Sequence, residues 1–265
     1  MNGSNASEAS HATHVVLIPS YNSGPLLLET VRDALAHWRP VWVVVDASTD
    51  GSEQPVLELA RSEPGLRVLV RAQNGGKGAA VFTGAQAALA AGYSHALVMD
   101  ADGQHPADRI AAFMAASEAE PRALVLGRPV FGPEAPLVRL KGRKLSVGMV
   151  RVEILGEGID DPLFGFRVYP LAPLVRVMAR IGSARRYDFD PEMAVRLVWA
   201  GTPTINLPAT CRYRPRAEGG VSHFHYVRDN VRMVWLHTRL MTQLLLWRWP
   251  AVRRLQRRRA VSGAR

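Results

Sequence analysis

Several things are scarce in this 265-residue chain. Cys211 is its one cysteine, which excludes a disulfide framework and a cysteine-based zinc site. There is no run of about 18 uncharged apolar residues, the length a membrane-crossing helix needs. The nearest approach, Val231–Trp249, is broken by Arg232, His237, Arg239 and Arg248. Residues 1–13 hold no apolar stretch, so they read as a disordered start and not as a signal peptide. Glycine (22) and proline (18) sit at ordinary levels, which excludes a collagen-like or linker-type chain. A cytosolic chain is expected, with contact to a membrane surface left open.

Acids are missing from one region. Residues 210–265 carry thirteen Arg, no Lys and two acids, Glu218 and Asp229. Residues 1–209 balance 20 Lys+Arg against 21 acids. The net charge of +10 therefore belongs to the C-terminal segment and not to the whole surface. That distribution argues against a protein that coats nucleic acid and for a localised basic surface.

Hydrophobic residues make up 48% of the chain, enough for a sizeable core. In the first half, short apolar runs alternate with helical spacing. His14–Pro19, Val41–Asp46, Leu66–Arg71, His95–Asp100 and Ala123–Gly127 read as buried strands. Leu26–Trp38, Glu53–Ser62, Gly78–Ala91 and Ala107–Glu118 read as helices between them. Strands buried on both faces and separated by helices imply an α/β architecture built on a parallel sheet. Ligands of such sheets bind beyond the carboxyl ends of the strands.

Three polar clusters fall at those ends. They are Pro19-Ser20-Tyr21-Asn22-Ser23-Gly24, Asp46-Ala47-Ser48-Thr49-Asp50-Gly51-Ser52 and Asp100-Ala101-Asp102-Gly103-Gln104-His105. Each alone is ordinary turn and helix-capping chemistry; all three would converge on one rim. Asp100 and Asp102 are two carboxylates leaving one buried strand, and they repel unless a cation sits between them. Mg²⁺ combines one or two carboxylates with substrate phosphates, and Asp102 with the Gln104 carbonyl has the reach to hold one. Gln73–Gly78 precedes a helix, so its glycine N–H groups and Lys77 suit a phosphate. It lacks the spacing of a Walker loop.

In order and spacing, these segments resemble family 2 glycosyltransferases of the GT-A fold, particularly the polyprenyl-phosphate and dolichyl-phosphate sugar transferases. The resemblance runs from about Val15 to Ser222. It implies a Rossmann-like central mixed sheet flanked by helices, followed here by a C-terminal amphipathic helix. Pro19, Tyr21 and Asn22, then Asp46, Ser48 and Asp50, match the segments that hold the nucleotide, with Val45 replacing the first acid of the family's usual pair. Asn74–Gly78 matches the loop containing Lys77. Asp100, Ala101, Asp102 and Gln104 match the metal motif, implying Mg²⁺ or Mn²⁺. Ser23 stands where the family commonly has Glu.

The second half resembles the family's acceptor side. Asp161–Arg167 is like its D-x-x-x-G-F-R, and Asp188–Glu192 like its F-D-x-E. Asp161 is the first candidate for the general base, with Asp190 and Glu192 behind it. Arg128, Arg143, Ser146, Arg167, Arg216 and Ser222 are the candidate phosphate and acceptor contacts. The implied reaction is an inverting transfer from a UDP- or GDP-sugar to a lipid-linked acceptor such as polyprenyl phosphate. A glycan hydroxyl or another lipid is the alternative acceptor, and a nucleotidyltransferase the alternative class. A nicotinamide dehydrogenase is disfavoured, because no G-x-G-x-x-G follows the first strand. Expected boundaries are 1–13 for the disordered start, 14–127 for the donor half, 128–222 for the acceptor half and 223–265 for a basic helix and tail. Leu137–Leu155 and the tail both suit an anionic membrane surface, which places the enzyme at the inner face of the cell membrane without nucleic acid as partner.

Overall fold

A computed structural model of the chain describes residues 13–132, 137–184, 186, 188–211 and 226–254, with side chains described outside 137–141 and 226–230. The elements run β1 (His14–Ser20), α1 (Leu26–His37), β2 (Val41–Val45), α2 (Gln54–Ala60), β3 (Leu66–Val70), α3 (Lys77–Ala90), β4 (His95–Val98), a 3₁₀ turn (Ala107–Arg109), α4 (Ile110–Ala119) and β5 (Leu124–Phe131). They continue with α5 (Leu137–Glu153), β6 (Arg167–Pro170), α6 (Leu171–Ala179), α7 (Phe189–Trp199), β7 (Thr204–Cys211), α8 (Tyr226–Gln243) and a π-helical turn (Leu244–Arg248).

Side-chain alternation along each strand divides the interior into two layers. Val15 and Leu17 of β1, Trp42 and Val44 of β2, and Ala96 and Val98 of β4 face a layer roofed by α3, α6, α7 and α8. Val16 and Ile18, Val41, Val43 and Val45, and Leu97 face the layer under α1 and α4. A one-residue slip of β1 would exchange these faces, so burial on both sides fixes the register. Gly84 lets α3 lie close on the sheet, since a Cβ there would stand 2.4 Å from Leu17 Cδ1 and 2.9 Å from Val44 Cγ2.

The sheet has seven strands in the order β3-β2-β1-β4-β6-β5-β7. β1 pairs in parallel with β2 and with β4, and β3 extends the same run. β6 runs antiparallel between β4 and β5, and β7 closes the edge parallel to β5. The parallel expectation thus holds for β1 to β4, and the whole sheet is mixed. β5 also runs four residues past the expected end at Gly127, because its ladder with β7 continues from Arg128↔Pro208 to Phe131↔Cys211 after the apolar run has stopped. Strand order reverses at β1, with β2 on one side and β4 on the other, and beyond the strand ends at such a reversal is where sheets of this kind bind their ligands.

The C-terminal helix is docked on the domain along one side. Leu236, Leu240 and Leu244 join the core layer under α3. Buried His237 Nδ1 meets Glu153 Oε1 of α5 at 2.7 Å, and Arg239 donates to Glu192 of α7 at 2.6 Å. Among the described residues, no helix is long and apolar enough to cross a membrane.

Candidate active site

The first two strand-end loops are stitched together. The Asn22 amide donates to Ser48 Oγ at 3.1 Å, and the Asn22 side-chain oxygen accepts the Thr49 N–H at 2.8 Å. The Gly24 N–H donates to Asp50 Oδ2 at 3.0 Å. Burial works against the Asp50 charge, yet the Ser52 side chain and backbone and the Gly24 N–H hold its carboxyl below the usual range. Asn22 itself takes a left-handed φ of 47°, a conformation asparagine tolerates better than most residues. Tyr21 is exposed on the rim, whereas Pro19 is buried in the strand end.

Asp46, at the end of β2, is almost fully buried and points into the glycine loop. Its carboxylate accepts the Gly75 N–H at 3.1 Å and the Gly76 N–H at 2.6 Å, with Arg71 Nε at 3.3 Å. Through these contacts Asp46 shapes the loop that delivers Lys77. The loop requires its glycines. Gly76 has φ 89°, and a Cβ on Gly75 would stand 2.6 Å from Ala79 Cβ.

Lys77 opens α3 and bridges the two halves of the chain. Its ammonium lies 2.6 Å from Asp100 Oδ1 and 2.7 Å from Asp190 Oδ2. Burial opposes the charge on Lys77, but the two carboxylates outweigh it and raise the ammonium well above its ordinary value. Burial likewise opposes the Asp100 charge, and Lys77 reverses the effect and keeps that carboxyl low. Gly165 makes room for this contact: a Cβ there would stand 2.4 Å from Lys77 Nζ and 3.1 Å from Asp100 Oδ2.

Asp102 differs from its neighbour. Burial, and then the nearby Asp100 charge, push its carboxyl up to about 6. Its one described hydrogen bond is from the Gln104 N–H at 3.0 Å. His105 closes the turn, with Nδ1 accepting the Asp100 N–H at 2.9 Å and its ring edge-on to Phe164. Burial drives His105 down to about 4, so it is neutral at pH 7. Ala101 packs its methyl into the layer under α1.

The acceptor-side segment is held from within. Asp161 Oδ1 accepts the Leu163 and Phe164 N–H groups at 2.8 and 2.9 Å, and Arg143 Nη1 approaches both oxygens at 2.9 and 3.1 Å. Burial raises the Asp161 carboxyl, with Arg143 acting in the opposite direction. Arg143 also lies over the Phe131 ring at 5.2 Å. Ser146 is half-buried one turn further along α5, and Arg128 is exposed near Asp160 at 3.9 Å.

Two expected site residues turn out to be internal supports. Arg167 is fully buried and donates to the Phe164, Pro162 and Asp190 carbonyl oxygens. With no exposed surface it has no means of touching an acceptor; it fixes the D-x-x-x-G-F-R turn against α7. Glu192 is also fully buried, and Ser183, Arg196 and Arg239 occupy its oxygens. A sealed and fully paired carboxylate has neither the access nor the free oxygen of a base. Its i,i+4 pairing with Arg196 was legible from spacing, but the bond from Arg239, 47 positions away, was not. Asp190 keeps one buried oxygen, Oδ1, without a hydrogen-bond partner. Arg216 and Ser222 lie outside the described residues.

Donor atoms for a cation are few. Among the described residues, no three His, Cys, Asp or Glu side chains gather around one point. Asp100 is committed to Lys77, and among the described residues Asp102 forms no ion pair of its own. This hard-oxygen set, short of protein ligands, fits a Mg²⁺ or Mn²⁺ completed by substrate phosphates.

Several named proteins are similar to this chain in sequence or in fold. A polyprenol monophosphomannose synthase of Mycolicibacterium smegmatis is 31% identical over 215 residues, covering 78% of this chain and 79% of that protein. An undecaprenyl-phosphate mannosyltransferase of Micrococcus luteus is 30% identical over 214 residues, covering 78% and 87%. Among solved structures, a mannosyltransferase of Pyrobaculum calidifontis in complex with GDP-Man and Mn²⁺ superposes with a TM-score of 0.57 at 20% identity, covering 95% of this chain and 75% of that one. The last likeness speaks to the fold. Together they define a glycosyltransferase built on the GT-A fold. Residues 15–168 match the description Glycosyl transferase family 2, and the chain belongs to that family.

Proposed function

We propose that this glycosyltransferase moves a sugar from a nucleotide-sugar donor to a lipid-linked acceptor of the polyprenyl-phosphate class, with inversion at the anomeric carbon. The observation that carries the reading is the Asp100–Lys77–Asp190 bridge beside Asp102, at the strand ends where strand order reverses. It joins the donor motif of β4 to α7 of the acceptor half. The two curated relatives, both polyprenyl-phosphate mannose enzymes by name, support the acceptor class.

On this reading residues 14–127 bind the donor and 128–222 the acceptor. Tyr21, Asn22 and Ser48 line the nucleotide side, with the Asp46-held loop supporting it. Asp102, with the Gln104 carbonyl, would hold a Mg²⁺ or Mn²⁺, which supplies Lewis-acid neutralisation of the leaving diphosphate. Lys77 keeps Asp100 charged and in place, and stops Asp100 and Asp190 from repelling each other. Arg143 and Arg128 face the acceptor phosphate. Such an acceptor is already anionic, so the attacking oxygen needs little help from a base. Asp161 then serves mainly to orient Arg143, and it remains the candidate base for a hydroxyl acceptor. The enzyme works peripherally at the inner face of the cell membrane.

The test is mass spectrometry of lipid products after incubation with a panel of UDP- and GDP-sugars and a polyprenyl phosphate. A glycosylated lipid phosphate is the expected product. Transfer to a glycan hydroxyl and to no lipid phosphate would overturn the acceptor assignment.

A further inference from the structure

The outer side of the C-terminal helix is left over once the site and core are accounted for. Of the thirteen exposed large apolar side chains among the described residues, seven lie between Val231 and Trp249. Trp235 is 65% exposed, Leu246 63% and Trp247 69%, with Leu245 and Trp249 alongside. Contiguous exposed apolar surface marks a contact site.

The helix is built to keep two faces apart. Leu236, Leu240 and Leu244 recur every four residues and point into the core. Continued as an α-helix, Val252, eight residues after Leu244, would be rotated about 80° from it. The π turn at Leu244–Arg248 takes up an extra residue, and Val252 returns to the buried side. Leu245, Leu246 and Trp247 are then left fully outward.

Charge identifies the occupant. Residues 230–265 contain no Asp or Glu. Arg248, Arg253 and Arg254 are exposed at the end of the apolar face. A second copy seated on the same face would set arginine against arginine, because a two-fold contact repeats one patch on both partners. Tryptophan and leucine rimmed by arginine match the interface of an anionic bilayer, where rings sit at headgroup level and guanidinium groups reach the phosphates.

We infer that the outward face of α8 and its π turn, centred on Trp235, Leu246 and Trp247 and rimmed by Arg248, Arg253 and Arg254, is a docking surface for an anionic lipid bilayer. Docking takes its purpose from the lipid-acceptor proposal above and its chemistry from the helix's own surface. It brings the catalytic domain to an acceptor that never leaves the membrane.

The experiment uses the full chain with phosphatidylglycerol-rich vesicles, phosphatidylcholine vesicles and the double variant L246E/W247E. Wild type is expected to sediment with the anionic vesicles and to release as salt is raised. The double variant should keep its circular dichroism and melting temperature and lose about tenfold or more in partitioning. R253Q and R254Q should each cost about fivefold on anionic vesicles alone. Equal partitioning of wild type and double variant, or no binding by wild type, overturns the inference. So does a wild-type dimer that the double variant dissolves, since the face would then belong to a second copy. Transfer to a short-chain, water-soluble polyprenyl phosphate should be unchanged in all variants. A wild type that binds vesicles and never glycosylates that acceptor would sink the acceptor proposal and leave the docking face standing.

Discussion

Replacing Lys77 by Met removes the cation between Asp100 and Asp190 and nearly preserves side-chain volume. Lys77 lies 2.6 and 2.7 Å from the two carboxylates. Losing one member of a buried ion pair costs about 3–5 kcal/mol, most of it from the charge left behind. The Asp100 side chain is 32% exposed, so water recovers part of that loss, and about 3 kcal/mol is the expected net cost. For a chain of this size each kcal/mol shifts the melting temperature by about 2–4 °C. Urea denaturation followed by tryptophan fluorescence and circular dichroism reads the change. The partner test is D190L in the K77M background, which removes the more buried of the two stranded charges. The double variant should recover stability, with a coupling energy of about 2 kcal/mol in the cycle. If K77M costs less than about 1 kcal/mol and shows no coupling to Asp190, Lys77 is an ordinary solvated lysine and the bridge between the halves is not there.

Further outcomes follow from other parts of the molecule. His14 stacks on His95 at 4.4 Å, and burial, then the His95 ring, lower it from 6.5 to about 4. The unfolded chain therefore takes up a proton first, and stability falls as pH drops from 6.5 towards 4. The loss approaches about 3 kcal/mol, and H14Q should shrink it in urea titrations across that range. G165A forces a methyl against Lys77 Nζ; it should cost about 1–3 kcal/mol by overpacking and weaken donor binding in calorimetry. D161N should lower turnover by less than about tenfold with a lipid phosphate, whereas a loss of about 10²–10⁴-fold would make Asp161 the general base.

The first half of the fold was readable because its strands are buried on both faces. His14–Ser20 and Val41–Val45 have no exposed position, so their apolar runs are continuous and their ends are sharp. β6 is only four residues, Arg167–Pro170, and begins with a buried arginine. No hydrophobic period marks such a strand, and the turn before it is held by bonds from Arg167 to the Pro162 and Phe164 carbonyl oxygens. The strand-end clusters of the site were visible as motifs, because each occupies a few consecutive residues. What the motifs do to one another was not visible. Lys77 and Asp190 are 113 positions apart, and nothing in either segment specifies the other. Arg167 and Glu192 read as functional because they are charged and lie in motifs. Their roles as internal supports come from complete burial, which depends on the packing of α7 and α8. In the tail, one apolar helix served equally well for core or lipid, and the docked structure divides its residues between the two.

Sugar transfer to a lipid phosphate is tested most directly by a single comparison. Wild type and D102N are incubated with nucleotide sugars, a short-chain polyprenyl phosphate and Mn²⁺, with and without EDTA, and the lipid fraction is read by mass spectrometry. The geometry predicts a glycosylated lipid phosphate from wild type with Mn²⁺, and none from D102N or in EDTA while both proteins stay folded. Undiminished product from D102N or in EDTA would contradict the assigned site, and no product from any donor would contradict the proposed reaction.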